Sequence, residues 1–177
     1  MIPAAVTYHY AGEYTVTRTE GVRAVLPITT PRLSATGMHS LAEVTVQNYN
    51  QNSMVEVGWI RQPGITDHLF VTAWRKDKVV RYDDCGPVAG GRGTFSIGYR
   101  DGSWVASFDG RVLQKIPAAT FGGQFRYATV EQAFAEVEDS GPGDSAFTHG
   151  LIEFSPSGDP DLYGPVTAHG AGWFDIG

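Results

Sequence analysis

The sequence predicts an all-β protein, an antiparallel sandwich or barrel. Three observations carry that reading. Short β-prone runs with alternating polarity recur along the chain, separated by clusters of Gly, Pro, Asn and Asp. Asp101-Gly102 and Asp109-Gly110 join such runs at tight-hairpin spacing. A composition with Gly 22, Pro 10 and 12% aromatic residues suits many strands and tight turns. Roughly ten to twelve short strands and at most one helix follow, within one domain covering residues 1–177.

Taken in order, Thr7-Tyr8-His9-Tyr10 and Tyr14-Thr15-Val16-Thr17 read as two strands separated at Ala11-Gly12. Gly21 to Ile28 is the next, with Pro27 marking an edge or a bulge near its end. From Ser40 to Gln47, Ala42, Val44 and Val46 take one face and Leu41, Glu43, Thr45 and Gln47 the other. Ser53 to Ile60 reads as a buried strand with a carboxylate at its centre. Val55, Val57 and Trp59 share a face, opposite Met54, Glu56, Gly58 and Ile60. Gly58, on the Glu56 face, is expected to leave open space beside that carboxyl. His68 to Trp74 is the most β-prone run, and Lys76-Asp77-Lys78 is a hairpin tip returning through Val79 to Tyr82. Asp83 to Gly93 reads as a loop. Thr94 to Tyr99, Ser103 to Phe108 and Arg111 to Pro117 complete a meander. Residues 118–128 suit a short helix or an irregular crossover. Thr129 to Glu138 fits a helical period through Val130, Ala133, Phe134 and Val137, and suits a strand equally. Phe147 to Phe154 and a segment ending in Trp173-Phe174-Asp175-Ile176 are the expected closing strands.

The totals exclude several classes of function. The net charge of −6 and the absence of any Lys/Arg cluster argue against nucleic-acid and anionic-membrane partners. No apolar run approaches the roughly 18 residues of a membrane span. Met1-Ile2-Pro3-Ala4-Ala5 shows neither a basic n-region nor an apolar h-region, so no signal peptide is expected. His9, His39, His68, His149 and His169 are scattered and form no HxH or HExxH pair, so neither a metal nor a cofactor is expected. Cys85 stands alone and follows Asp83 and Asp84, whose charges oppose thiolate formation. Neither a GxSxG elbow nor a phosphate-cradling glycine loop is present.

Carboxylates remain. A carboxylate in an apolar strand is costly to desolvate unless it has partners or chemical work. The plain alternative is an edge strand with Glu56 facing water. Glu43, Glu56, Glu131, Glu136, Glu138 and Glu153 all lie in apolar, strand-like surroundings. A hydrolase can be built from two such groups, one ionised as general base and one protonated as general acid. Residue counting does not choose the pair.

A set of motifs narrows the choice. Gly21-Val22-Arg23-Ala24-Val25-Leu26 comes first, followed by Leu33-Ser34 through Val44-Thr45-Val46-Gln47. Met54-Val55-Glu56-Val57-Gly58-Trp59 matches an Ile-Glu-Ala-Gly-Trp motif, and His68 to Trp74 matches a Leu-Phe-x-Tyr-Trp strand. Tyr82, Cys85-Gly86, Gly102-Ser103-Trp104 and Val112 to Pro117 follow in order, and Phe147-Thr148-His149-Gly150 matches loosely near the end. Over roughly residues 9 to 155 this order resembles the neprosin family, plant-type glutamic peptidases that cleave after proline. The family's second catalytic glutamate lies in a Trp-Gly-Gly-Glu-Val motif. Ala133-Phe134-Ala135-Glu136-Val137 matches it best, with Glu131 and Glu138 as alternatives. Arg81 stands where the family has a first loop cysteine, and the chain resembles a minimal form without the family's N-terminal activation domain.

The resemblance implies a sandwich of two antiparallel sheets, one strongly curved, of jelly-roll or concanavalin-like type. It implies a glutamic endopeptidase cutting at proline-containing sites at acidic pH, with Glu56 and Glu136 as catalytic residues. Trp59, Trp74 and Tyr82 are the expected substrate-binding aromatics, with core the competing assignment for Trp59. The partner would be a peptide or protein substrate, proline-rich on this reading. Secretion, as in the related proteins, is the expected placement, with the cytoplasm as the alternative. The competing function is a non-catalytic carbohydrate- or peptide-binding sandwich; a third possibility turns the carboxylate pair on a glycosidic bond.

Overall fold

Alternation becomes architecture in the computed structural model, which describes residues 7–16, 18–30, 39–139, 153–156 and 164–165. Twelve strands are assigned there: β1 (Thr7–Thr15), β2 (Gly21–Ile28), β3 (Ser40–Asn48), β4 (Ser53–Arg61), β5 (His68–Arg75), β6 (Lys78–Pro87), β7 (Gly91–Arg100), β8 (Ser103–Phe108), β9 (Arg111–Pro117), β10 (Val130–Asp139), β11 (Glu153–Pro156) and β12 (Gly164–Pro165). They form two six-stranded sheets, one in the order β1-β10-β3-β4-β5-β6 and the other β12-β11-β2-β7-β8-β9. Every strand pairing is antiparallel. The chain is the all-β sandwich that its patterning predicts.

The core lies between the sheets. From the first come Val44, Val46, Val55, Val57, Trp59, Val71 and Ala73; from the second, Leu26, Phe95, Ile97, Trp104 and Ile116. Trp59 is fully buried there, and its indole Nε1 donates to the Pro27 carbonyl at 2.7 Å, tying β4 to β2. Trp59 is therefore a core residue and not a substrate-binding one. It stands on the face opposite Glu56, and a buried indole N–H needs the acceptor that Pro27 supplies. Among the described residues β11 pairs with β2 only over Val22 to Val25, short of Pro27 and its missing N–H.

Three hairpins turn on residues with positive φ at both central positions: Lys76-Asp77, Asp101-Gly102 and Asp109-Gly110. That geometry matches the right-handed twist of the flanking strands. Arg81 links edge strands of the two sheets, its Nη2 donating to Gln114 Oε1 at 2.8 Å while its Nε bonds Asp83.

Two sequence readings change and two open ones are decided. Residues 7–15 make one strand, because β10 pairs through Ala11 and Gly12 without interruption. The segment with two possible periods is strand β10, held on both sides by β1 and β3. Asp83 to Pro87 continues β6 instead of opening a loop. Residues 118–121 form a single 3-10 turn, and the chain then runs irregularly into β10. The expected strand at Phe147 to Phe154 is found as Glu153–Pro156, with 147–152 outside the described residues, as is the segment around Trp173.

Candidate functional site

The first sheet turns one face into the core, and its other face carries the polar residues. Register fixes who meets whom there. Across the sheet run Gln132, Thr45, Glu56, Thr72 and Tyr82 in one row. The next row holds Phe134, Glu43, Gly58, Phe70 and Asp84, and the one after it Glu136, Leu41, Ile60 and His68. Directly opposed or diagonal residues on one sheet face are in side-chain contact range. Glu43 on β3 is diagonal to Glu56 on β4 and to both Gln132 and Glu136 on β10. Glu56 and Glu136, the pair expected from the motifs, share this face with Glu43 between them. Two strand spacings and four residues along β3 put their Cα atoms roughly 16 Å apart on a flat sheet.

Both Glu43 and Glu56 are buried, at 4% and 8% exposure. Burial pushes the Glu43 carboxyl well above the usual range, and the neighbouring charges of Glu56 and Glu136 push the same way. Burial likewise raises Glu56 from 4.5 to about 7; the Trp74 hydrogen bond partly opposes this and Glu136 adds to it. In that bond Trp74 Nε1 donates to Glu56 Oε2 at 2.6 Å. Glu136 is bonded by His39, with Nε2 to Oε1 at 2.5 Å. The face thus holds three carboxyls on three adjacent strands, two of which favour the protonated form.

Gly58 does something other than leave open space. A Cβ placed there would meet Ala42 O at 2.2 Å and Glu43 Cβ at 2.7 Å. The missing side chain lets β3 approach β4, so that Glu43 fills the position beside Glu56.

Of the expected aromatics, Trp74 and Tyr82 lie on this face and Trp59 does not. Tyr82 is 54% exposed, its ring parallel to Phe70 within 9° at a centroid distance of 6.3 Å. Beyond them His68 Nδ1 contacts Asp84 Oδ2 at 2.9 Å, and the Gly86 N–H and His68 hold Asp84 below the usual carboxylate range. Glu131, an alternative second acid, is fully buried on the core side with Ala133 and Ala135. The side chain of Glu138 lies outside the described residues. Burial, then Asp83 and Asp84, push the Cys85 thiol up, which keeps it from serving as a nucleophile. No group of three or more metal-ligating side chains in metal-holding geometry occurs among the described residues.

Gln132 was not singled out by sequence reasoning, and Glu43 was one of six candidate carboxylates but not one of the chosen pair. Alternation already placed Glu43 on a polar face with Thr45; what was not legible was that this face adjoins Glu56.

No family model matches the sequence, and no curated protein matches it either. Among solved structures, a scytalido-glutamic peptidase with a peptide-based transition-state analogue is similar over 97% of this chain and 92% of its own, at 12% identity and a TM-score of 0.59. SCP-B, an eqolisin-family peptidase in complex with the tripeptide Ala-Ile-His, covers the same shares at 12% identity and a TM-score of 0.51. The Crh5 transglycosylase in complex with NAG is similar over 77% of this chain and 56% of its own, at 16% identity and a TM-score of 0.50. At these identities the likeness establishes the fold. It supports the sandwich of the glutamic peptidases and does not reach the neprosin family specifically.

Proposed function

We propose that the protein is a glutamic endopeptidase whose catalytic residues are Glu56 and Glu136. The observation that carries this reading is the carboxyl cluster around Glu43. One polar sheet face brings three acids together, and burial raises the proton affinity of two of them, Glu43 and Glu56. Fold likeness to two glutamic peptidases supports it. A peptide lying over Glu43 has Glu56 on one side and Glu136 on the other. Glu136 takes a proton from water as the water oxygen bonds to the scissile carbonyl carbon. Glu56, protonated below about pH 7, gives its proton to the leaving nitrogen as the C–N bond breaks. Return of the Glu136 proton to solvent and reprotonation of Glu56 restore the starting state. Activity on this mechanism favours acid pH. The ring surfaces of Trp74 and Tyr82 suit a flat apolar residue, and the motif resemblance makes proline the first substrate residue to test.

The test is a proline-containing peptide library read by mass spectrometry between about pH 3 and pH 8, with wild type, Glu56→Gln and Glu136→Gln side by side. Cuts at acid pH that vanish in both variants support the pair. Loss in Glu56→Gln alone removes Glu136 from the mechanism. A folded wild type that cuts nothing overturns the peptidase reading. The likeness to a transglycosylase then directs the search to oligosaccharides, where a carboxyl pair works equally well.

A further inference from the structure

His39 stands at the entrance to β3, and its imidazole Nε2 meets Glu136 Oε1 at 2.5 Å. Register explains the meeting. Ser40 pairs with Val137 and Leu41 with Glu136. Continued one residue back from Ser40, alternation puts His39 on the face of Leu41 and Glu43, diagonal to Glu136. The two side chains are mostly buried, at 19% and 15% exposure, so their interaction is screened less than that of a pair in open solvent. Other charged and titratable groups surround the pair. Glu43 on β3 and Glu56 on β4 lie on the same face and feel the charge of Glu136. Arg61, the partner of Ser40 on β4, has its guanidinium on Asp67 at 3.1 Å. His68, in the row of Glu136, contacts Asp84. On the other side of β10, Tyr8 and Tyr10 are the register partners of Glu138 and Glu136.

Carboxyls that share one face do not by themselves determine which of them holds the proton. The mechanism needs Glu56 protonated and Glu136 charged. Burial supplies the first condition by favouring the neutral form of Glu56. Acid pH works against the second, because a base that is itself protonated takes no proton from water. An ordinary imidazole becomes cationic as pH falls below about 6.5. A histidine therefore gains its charge over the range in which a neighbouring carboxylate needs it. As an imidazolium it donates from Nε2, which occupies Oε1 of Glu136 and leaves Oε2 as the basic oxygen.

We propose that His39 is a positioning residue for the reaction: its imidazolium keeps Glu136 charged and turns Oε2 towards the attacking water. The proton taken from that water stays on Glu136, as in the mechanism above, and His39 touches neither the water nor the peptide. A purely structural tie between the start of β3 and β10 would change stability and leave the pH profile in place. The inference rests on the peptidase reading above, and the experiment keeps the two apart.

On a peptide that wild type cuts, kcat/KM is followed from about pH 3 to pH 8 for His39→Gln and His39→Lys, with thermal melts to confirm folding. Glutamine keeps a donor for Oε1 without the charge, and lysine keeps the charge. His39→Gln is expected to move the acid limb up by about one pH unit, roughly a tenfold loss on that side, with the rate at the optimum within about threefold of wild type. His39→Lys is expected to return the limb towards wild type, and a limb displaced equally in both variants overturns a role for the charge. A proton NMR titration of the histidines needs neither substrate nor a variant at position 39. The assigned His39 C2–H signal should titrate about one pH unit lower in Glu136→Gln than in wild type, and equal titration overturns the pairing. A folded His39→Gln whose acid limb does not move, beside a dead Glu56→Gln, overturns the role of His39 and leaves the peptidase reading standing. A folded wild type that cuts no peptide overturns both.

Discussion

Replacing Glu56 by Gln tests the electrostatics of the site without any substrate. Burial lifts this carboxyl from 4.5 to about 7 in the folded chain. One tenfold change in proton affinity corresponds to about 1.4 kcal/mol, so ionising Glu56 disfavours the folded state by about 3 kcal/mol. Folded Glu56 holds its proton to higher pH than the unfolded chain does. The stabilisation is therefore complete below about pH 4.5 and is lost as pH rises through 7. Against a typical total stability of about 5–15 kcal/mol, that loss is large. Glutamine keeps the shape and an acceptor for the Trp74 N–H but does not titrate. Urea unfolding at intervals between about pH 4.5 and pH 8 should show wild type losing about 3 kcal/mol more than Glu56→Gln over that span. Parallel profiles for the two proteins would refute a desolvated, raised carboxyl at this position.

Three further outcomes follow from the same geometry. Gly58→Ala forces a Cβ against Ala42 O and Glu43 and should cost about 1–3 kcal/mol by overpacking; a change under about 0.5 kcal/mol in urea unfolding would mean that β3 and β4 are not closely approached there. Trp74→Phe removes the N–H that holds Glu56 down, so the alkaline limb of the pH–activity profile should move to higher pH, and an unmoved or lowered limb contradicts the acid role of Glu56. Trp59→Ala should cost about 3–5 kcal/mol through its core cavity, while Tyr82→Ala, exposed at the edge, should stay within about 0.5 kcal/mol and raise KM; equal thermal shifts would put the two rings in the same environment, against the structure.

How much of the site was legible depended on how local each signal is. The face shared by Glu56, Gly58 and Ile60 follows from a period of two along one strand, and the structure keeps it. The assignment of Trp59 was also available from that period, since it places the ring with Val55 and Val57. Its place among the substrate-binding residues came from the motif resemblance and not from alternation. Gly58 was misread because its meaning lies in the neighbouring strand: the atoms its Cβ would strike belong to Ala42 and Glu43. The period of β10 was ambiguous for the same reason, since pairing with β1 and β3 decides it.

By itself the sequence determined the all-β class, the tight hairpin turns, the faces of the strands that carry Glu43 and Glu56, and the acidic character of the candidate chemistry. These are set by backbone sterics, glycine and aspartate in tight turns, and hydrophobic alternation, all acting over a few residues. Tertiary structure alone decided that β3 lies between β4 and β10, and therefore that Glu43 stands among Glu56, Gln132 and Glu136. It also decided that Glu131 goes to the core. Register arises from burying whole sheet faces against each other, a long-range balance of packing that no short window of sequence contains.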